Sequence, residues 1–230
     1  MRQLFPAYLD PVQPAEVYAD PPAVRVNMIS SADGAASVDG RSGGLGGPAD
    51  REVFHALRAA ADVVLVGAGT VRDEGYGPSK TVLAIVSRSC HLDWGAPLFT
   101  RPGARPIVIT VATAPESERA RAREVADVLM AGEDTVDLRQ AVGELTARGH
   151  HHVLAEGGPT LNGALLAAGL IDELCLTLSP HLVGGASRRI VAGAPSEVSR
   201  DLVLRSACEE DSFLFLRYAA GSSNDSRKGG

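Results

Sequence analysis

The sequence lacks the features that mark secreted, membrane-spanning and nucleic-acid-binding proteins. No apolar run approaches the roughly 18 residues that cross a bilayer. The first residues, Met1 to Pro11, carry no apolar stretch after Arg2, so no signal peptide is predicted. A formal net charge of −6 provides no positive field for a phosphate polymer. We therefore expect neither a membrane nor a nucleic acid as a partner.

Cysteine is also scarce, which excludes two further classes of protein. The three cysteines, Cys90, Cys175 and Cys208, are widely spaced and form no C-x-x-C pair, so neither a disulfide framework nor a zinc ribbon is predicted. His150 and His152 can share a strand face, but they lack the third ligand that a metal needs. We expect no metal site and a reducing, cytoplasmic location.

What the chain does have is a regular alternation of apolar runs and helical patterns. Strands bounded by glycine and proline that alternate with helices predict a three-layer α/β/α fold, with a mostly parallel central sheet and a C-terminal antiparallel strand pair. We expect one domain over residues 1–221 and a disordered tail over residues 222–230, which lack apolar side chains. The predicted strands are Val24–Ile29, Val63–Val66, Val82–Val86, Ile107–Val111, Asp127–Met130, His152–Ala155, Leu174–Leu178, Leu202–Ala207 and Phe213–Tyr218. The predicted helices are Asp50–Ala61, Glu116–Val125, Asp134–Arg148 and Pro159–Ala168.

A strand that runs into two glycines is the clearest candidate site. After His152–Ala155 the chain continues Glu156-Gly157-Gly158-Pro159-Thr160, and the proline suits the first turn of a helix. Glycines let a ligand approach the backbone, and a helix N-terminus offers unpaired N–H groups and the positive end of a dipole. The pattern predicts a phosphate or diphosphate site; the alternative is a tight turn without a ligand.

Two further strand ends fit a long diphosphate ligand. Val63–Val66 leads into Gly67-Ala-Gly69-Thr70-Val-Arg72, where Arg72 replaces the last glycine of G-x-G-x-x-G, so an ordinary Rossmann crossover is not expected. Ser87-Arg88 follows Val82–Val86, and a hydroxyl with a guanidinium can bind the 2′-phosphate that distinguishes NADPH from NADH. A solvated strand end is the alternative for that pair.

Two other motifs bear on the substrate. Glu156 ends an apolar strand next to the anion site, so its carboxylate can accept hydrogen bonds from ring N–H groups of a substrate. Gly40-Arg-Ser42-Gly-Gly44 matches the serine-hydrolase pattern G-x-S-x-G, but that motif requires a buried strand before the serine and a helix directly after it. The segment Ala35–Asp39 is weakly apolar, which disfavours a hydrolase.

Several of these segments together resemble the reductase domain of the riboflavin-biosynthesis deaminase-reductases. The resemblance covers about residues 24 to 218 and implies the dihydrofolate-reductase-like fold. The zinc-deaminase signature, H-x-E with P-C-x-x-C, is absent, so a stand-alone reductase is expected. The segments are Asn27–Gly34, Leu57–Ala59, Asp62–Arg72, Glu156–Leu161 and Gly169–Leu174.

The resemblance implies NADPH-dependent reduction of 5-amino-6-(5-phosphoribosylamino)uracil to its ribitylamino form by a homodimer. Ser42, Arg58 and Glu156 are then expected to face this small heterocyclic substrate, with Arg58 as a clamp for its phosphate. Ile29 is expected near the nicotinamide. With the glycine junctions, the predicted cofactor-binding residues are Ile29, Gly67, Gly69, Thr70, Glu74, Ser87, Arg88, Gly157, Gly158, Pro159, Thr160, Leu161 and Asn162.

Departures from the family pattern keep other functions open. Asn27 stands where the fused enzymes commonly have lysine, and a Leu-Thr-x-Arg element is replaced by the segment Gly75–Lys80. Reduction of a pterin such as dihydrofolate is therefore one alternative, and a regulatory protein that binds the nucleotide without turnover is another. No proton donor stands out; Asp33 and Asn27 are the candidate catalytic residues, with protonation through Asp33 or water.

Overall fold

Residues 1–193 and 198–221, which the computed structural model describes, contain ten β-strands and seven α-helices. The strands are β1 (Arg2–Phe5), β2 (Val24–Ser31), β3 (Val63–Gly67), β4 (Val82–Val86), β5 (Ile107–Thr110), β6 (Asp127–Met130), β7 (Val153–Gly157), β8 (Glu173–Ser179), β9 (Leu202–Glu210) and β10 (Phe213–Ala220). The helices are α1 (Pro14–Val17), α2 (Pro48–Ala59), α3 (Ala68–Glu74), α4 (Pro97–Thr100), α5 (Glu116–Val125), α6 (Leu138–Ala147) and α7 (Pro159–Ala167).

All ten strands join one sheet in the order β1-β9-β10-β8-β2-β7-β3-β4-β5-β6. The strands from β8 to β6 in this order run parallel, whereas β10, β9 and β1 pair antiparallel at one end. Strand β2 lies between β8 and β7, and β7 lies between β2 and β3. The carboxyl ends of β2, β7 and β3 therefore meet at one edge of the sheet.

Helices cover both faces of the parallel strands. On one face, α2 contributes Val53 and Leu57 to a buried cluster that also takes side chains from α3, α4 and α5. On the other face, α6 and α7 contribute Leu145 and Leu165 to a second cluster. The strands between them are nearly continuous Val, Ile and Leu because both of their faces are buried. The predicted three-layer α/β fold is confirmed.

The predicted elements lie close to the observed ones. Strands β4 and β6 and helix α5 have the predicted bounds, and β9 and β10 form the predicted antiparallel pair. The helix predicted from Asp134 instead begins at Leu138, because the Asp137 carboxylate accepts hydrogen bonds from the N–H groups of Arg139 and Gln140 and caps it there. The single domain over residues 1–221 stays a prediction, and the tail predicted over 222–230 lies outside the described residues.

Candidate functional site

A cleft lies at the edge of the sheet where β2, β7 and β3 end. Its volume is about 640 Å³. Open α/β sheets bind ligands at such an edge, outside the carboxyl ends of their strands. The lining residues are Asn27, Met28, Ile29, Ala36, Ser37, Gly40, Ser42, Gly43, Gly46, Gly47, Asp50, Arg51, Phe54, Thr70, Asp73, Glu74, Tyr76, Glu156, Gly158, Pro159, Ala186, Ser187 and Arg188.

Glycines allow two strand ends to touch beside this cleft. Gly157 has a φ of +85°, which L side chains rarely adopt, and a Cβ on Gly158 would lie 2.7 Å from Thr70 Oγ1. Gly67, at the end of β3, packs against the backbone of Gly157 and Gly158. Helix α7 begins at Pro159, so its first-turn N–H groups lie at the same edge. The structure thus brings the two predicted glycine junctions together.

The residues that follow in α7 face different surroundings. Thr160 is exposed, whereas Leu161 packs into the second core cluster. Asn162 is fully buried; its side-chain amide donates to the Ile190 carbonyl at 2.9 Å, and its Oδ1 has no hydrogen-bond partner among the described residues. Of these three residues, only Thr160 presents an exposed side chain.

Glu156 is held in place by two side chains. The Arg58 guanidinium donates Nε–H and Nη2–H bonds to its two oxygens, each at 2.7 Å, and the Tyr76 hydroxyl donates to Oε2 at 2.8 Å. Burial, together with this carboxylate, raises the pKa of Tyr76 well above its usual value. Arg58 thus contacts Glu156, which lines the cleft, whereas Arg58 itself does not line it. The sequence predicted that Arg58 binds the substrate phosphate. In the structure its guanidinium is instead paired with the Glu156 carboxylate.

Ser42 and Glu74 also pair with each other. The Ser42 backbone N–H and hydroxyl donate to Glu74 Oε1 at 2.8 and 2.9 Å. Ser42 lies in a short 3₁₀ helix, Ser42–Gly44, and neither a buried strand before it nor an α-helix directly after it is present. The geometry required by a hydrolase nucleophile is therefore missing at this serine.

Ser87 and Arg88 lie at the end of β4, beside the end of β3 but outside the cleft lining. Ser87 is buried and Arg88 is exposed. Gly69, in the first turn of α3, also lies outside the lining, and nothing is within 4 Å of a Cβ placed there. These residues flank the cleft on the β3–β4 side.

The predicted catalytic residues occupy different positions on and after β2. Asn27 lines the cleft, and so does Ile29, which was predicted to lie near the nicotinamide. Asp33 does not: it accepts bonds from the backbone N–H groups of Val183 and Gly184 at 3.1 and 2.8 Å, and from the Ser31 hydroxyl. The Ser31 hydroxyl and these N–H groups lower the pKa of Asp33 to about 2. Asp33 is therefore a carboxylate near neutral pH and is poorly suited to donate a proton.

A cleft residue that the sequence reasoning missed is Asp50, in the first turn of α2. It is half-buried, and a Cβ on Gly46 would lie 3.0 Å from Asp50 Oδ2. Burial raises the pKa of Asp50, and the Thr177 hydroxyl and the Arg51 guanidinium oppose that rise. Because an acid in the first turn of a helix is common, its sequence position gave no signal.

The part of the chain that the structure describes contains neither a metal-binding cluster nor a membrane-spanning helix. Within residues 1–193 and 198–221, no group of three or more His, Cys, Asp or Glu residues is arranged to hold a metal ion. No helix of that part of the chain has the length and apolar character that a membrane crossing needs. Cys90, Cys175 and Cys208 are free and buried.

Comparison with known proteins gives consistent matches. The family described as the RibD C-terminal domain matches residues 22–212. A protein of Methanothermobacter thermautotrophicus, named 2,5-diamino-6-ribosylamino-4(3H)-pyrimidinone 5′-phosphate reductase, is 30% identical over 183 residues, covering 73% of this chain and 82% of its own. The riboflavin biosynthesis protein RibD of Mycobacterium tuberculosis is 33% identical over 166 residues, covering 71% of this chain and 44% of its own. The crystal structure of a pyrimidine reductase-like protein from Corynebacterium diphtheriae superimposes with a TM-score of 0.82 at 25% identity, covering 92% of this chain and all of that one.

Proposed function

The chain belongs to the RibD C-terminal domain family, and we propose that it is a riboflavin-biosynthesis reductase that uses NADPH to reduce a ribosylamino-pyrimidine phosphate. The observation that carries the proposal is the cleft at the ends of β2, β7 and β3, where two glycine junctions and a helix N-terminus meet. The predicted substrate, 5-amino-6-(5-phosphoribosylamino)uracil, and the substrate in the M. thermautotrophicus enzyme's name share a ribosylamino group on a pyrimidine. That group is the one reduced.

The residues at the glycine junctions fit a nicotinamide dinucleotide. A side chain at Gly158 would fill the space beside Thr70, so the backbone is bare where a diphosphate would approach it. The start of α7 offers unpaired N–H groups there, and such groups with the helix dipole bind phosphate. Gly157, Gly158, Thr160 and Thr70 would hold the diphosphate. When bound, the reduced nicotinamide supplies a hydride.

Ser87 and Arg88 support NADPH over NADH. They end β4 next to the strand that carries the Gly67 junction, so a dinucleotide lying across the strand ends would bring its adenosine toward them. Arg88 is exposed, and charge-assisted hydrogen bonds to a 2′-phosphate contribute on the order of 1.5–3 kcal/mol.

We expect Arg88→Ala to weaken the binding of NADPH at least 10-fold and the binding of NADH by less than about twofold. Equal losses of affinity for the two cofactors would remove Arg88 from the adenosine site.

The substrate would lie between Glu156 and the residues on α2. Arg58 and Tyr76 fix the Glu156 carboxylate, which suits it to accept hydrogen bonds from ring N–H groups. Two other arginines, Arg51 and Arg188, line the cleft and form no ion pair within the described chain. These two guanidiniums, rather than Arg58, would bind the substrate phosphate.

Turnover of purified protein tests the proposal. NADPH is mixed with each of the two pyrimidines, the diaminopyrimidinone and the aminouracil, and its oxidation is followed by absorbance together with the product mass. We expect stoichiometric oxidation and a ribitylamino product from one of them. Dihydrofolate is assayed in parallel. Oxidation with dihydrofolate alone, or binding of NADPH with no oxidation in any mixture, would contradict the proposal.

We also infer that the protein forms a homodimer through the antiparallel end of its sheet. Leu174, Leu176, Leu178, Leu214 and Leu216 alternate with buried residues and lie on the face opposite α2; these five residues are called the leucine face. Leu214 is 36% exposed, and the other four are partly exposed. An apolar face of this kind suits a symmetric contact with a second copy.

The three buried, free cysteines fit a reducing compartment such as the cytoplasm.

A further inference from the structure

Four acidic residues line the cleft, and their surroundings separate them. Glu156 is bound by a guanidinium, and Glu74 accepts hydrogen bonds from a serine. Asp73 is exposed to solvent. Asp50 is half-buried and forms no ion pair with any residue of the described ranges 1–193 and 198–221. It is therefore the cleft carboxyl best placed to hold a proton.

Asp50 lines the cleft from the first turn of α2. Ile29 on β2 pairs in register with Thr177 on β8, and Asn27 pairs with Cys175. Side chains of parallel register partners share a face of the sheet, and α2 packs on this face. Thr177, whose hydroxyl faces Asp50, therefore places this carboxyl beside Ile29.

The local sequence keeps the carboxyl open to the cleft. A side chain on Gly46 would start 3.0 Å from Asp50 Oδ2, so the glycine leaves that oxygen accessible. Burial of the carboxyl raises its pKa, which moves it toward the range in which an acid can store and release a proton. The Asp50 carboxyl is therefore both accessible from the cleft and in surroundings that favour its protonated form.

We propose that Asp50 is the proton donor for the reduction, an inference that depends on the proposed function. Reduction of the ribosylamino carbon adds a hydride to that carbon and breaks its bond to the ribose ring oxygen. The ring oxygen leaves with the electron pair and needs one proton to become the new hydroxyl of the ribityl chain. Asp50 gives up its proton to this oxygen, and the carboxylate then takes a proton from water.

The other candidate donors are less suited to this step. Asp33 is held as a carboxylate by N–H groups outside the cleft. The Tyr76 hydroxyl donates its hydrogen to Glu156, and burial raises its pKa. Asn27 carries an amide, which does not release a proton near neutral pH. Of these candidate proton donors, Asp50 is the one that carries a carboxyl group facing the cleft.

The first test is the rate of the reduction step in Asp50→Asn. General acids contribute typically 100- to 10,000-fold, so we expect kcat to fall on the order of 100-fold or more, with KM for the pyrimidine and Kd for NADPH within about threefold. The matched control is Glu52→Gln, an acid-to-amide change at an exposed position of the same helix that does not line the cleft. It should keep the wild-type kcat. A kcat within threefold of wild type in Asp50→Asn would overturn the proposal.

The pH profile separates proton donation from a structural role. In the wild type, kcat should fall as the pH rises through the pKa of Asp50, and in Asp50→Asn this decline should be absent. Other charged groups also face the cleft and influence the profile: Arg51 on α2, Asp73 and Glu74 on α3, Glu156 on β7 and Arg188 in the loop after β8. Asp50→Glu, which keeps the carboxyl, should retain a decline at a shifted pH; a profile identical in wild type and Asp50→Asn would contradict the proposal.

A third measurement needs neither cofactor nor turnover. Carbon-13 NMR of the free protein, labelled at aspartate carboxyls, should show one resonance that is lost in Asp50→Asn and titrates above the ordinary aspartate range. A titration in the ordinary range would overturn the proposal even if Asp50→Asn failed to fold well enough for kinetics, in which case Asp50→Glu supplies the assignment. If wild type oxidises no NADPH, the proposed function fails; if wild type turns over and Asp50→Asn matches it, only this inference fails.

Discussion

The Arg58 guanidinium contacts three side chains that line the cleft. Its guanidinium binds Glu156 through two nitrogens and lies 4.3 Å from the ring centre of Phe54 and 5.6 Å from that of Tyr76. A planar cation can make this stacked, bidentate arrangement, whereas a lysine ammonium cannot. The ion pair therefore fixes the direction of the carboxylate that faces the substrate.

Removing Arg58 should cost stability. The Glu156 side chain is 3% exposed and Arg58 22%, so Arg58→Met leaves a buried carboxylate without its cation. A fully buried pair costs 3–5 kcal/mol when one partner is removed, and the partial exposure of Arg58 lowers the expectation to about 2–3 kcal/mol. Urea unfolding measures the loss. The double variant Arg58→Met/Glu156→Gln should recover most of it; a loss within about 0.5 kcal/mol in the single variant would contradict this account.

Asp33 should make stability depend on acid pH. Its pKa is lowered from 3.8 to about 2 in the folded protein, so its stabilising effect is complete above 3.8 and disappears as the pH falls toward 2. We expect Asp33→Asn to have a lower Tm than wild type at neutral pH, with the difference closing between about pH 4 and pH 2. Thermal unfolding of both proteins across this range measures it. A difference in Tm that does not change with pH would show that the carboxylate charge is not responsible.

At the scale of single residues, sequence patterns selected residues that line the cleft but did not predict the contacts between them. Gly158 was selected because a strand that runs into two glycines and a helix leaves the backbone open, and Thr70 follows the second glycine junction; both line the cleft. The pairing of Arg58 with Glu156 joins residues that are 98 positions apart, and no local pattern encodes it. Asp50 was missed for the same reason: the cleft around it forms only when α2 packs against β2 and β8.

Among the elements, the junction of β7 and α7 leaves little room for added volume. An alanine at 158 would place its Cβ 2.7 Å from Thr70 Oγ1, so either the turn or Thr70 must move. Gly158→Ala should lower the free energy of unfolding by about 1–3 kcal/mol and weaken NADPH at least 10-fold. Gly69→Ala is the matched control for stability, because a Cβ there meets nothing within 4 Å; it should be neutral or slightly stabilising. Equal stability of both variants, measured by urea unfolding, would contradict the close contact.

Local sequence determines where several of the helices begin. Pro48 and Pro159 begin α2 and α7, as expected of proline at a first helical position. Helix α6 begins four residues later than predicted, since the Asp137 cap is stronger than the apolar spacing before it. Helix α3 was expected only as part of a strand-to-helix junction, without bounds, because a glycine-rich start and seven residues give little periodic signal.

At the scale of the whole molecule, the antiparallel end of the sheet offers a surface for a second copy. We expect a dimer by light scattering, and we expect Leu216→Glu, in the centre of the leucine face, to convert it to a monomer, because a charge on both sides of a symmetric contact is repelled and desolvated. Met130→Glu, on the exposed β6 strand at the other end of the sheet, is the control and should leave the dimer intact. A wild-type monomer, or a dimer that survives Leu216→Glu, would contradict this interface.

The overall architecture could be predicted because nine of the ten strands lie on apolar runs of the sequence; β1, with the sequence Arg-Gln-Leu-Phe, was not predicted. The order of the strands could not, since β2 pairs with β8 and β7, both more than 120 residues away in the chain. Such pairing depends on how the helices cover the two faces. The cleft is a property of that order, because it forms where β2, β7 and β3 end side by side.

The most direct measurement is a calorimetric titration of NADPH into the free protein. The account predicts saturable binding of one NADPH per chain, with a Kd in the micromolar range and a weaker Kd for NADH. The absence of any binding at millimolar NADPH would contradict the assignment of the glycine junctions to a dinucleotide, and the reductase mechanism with it.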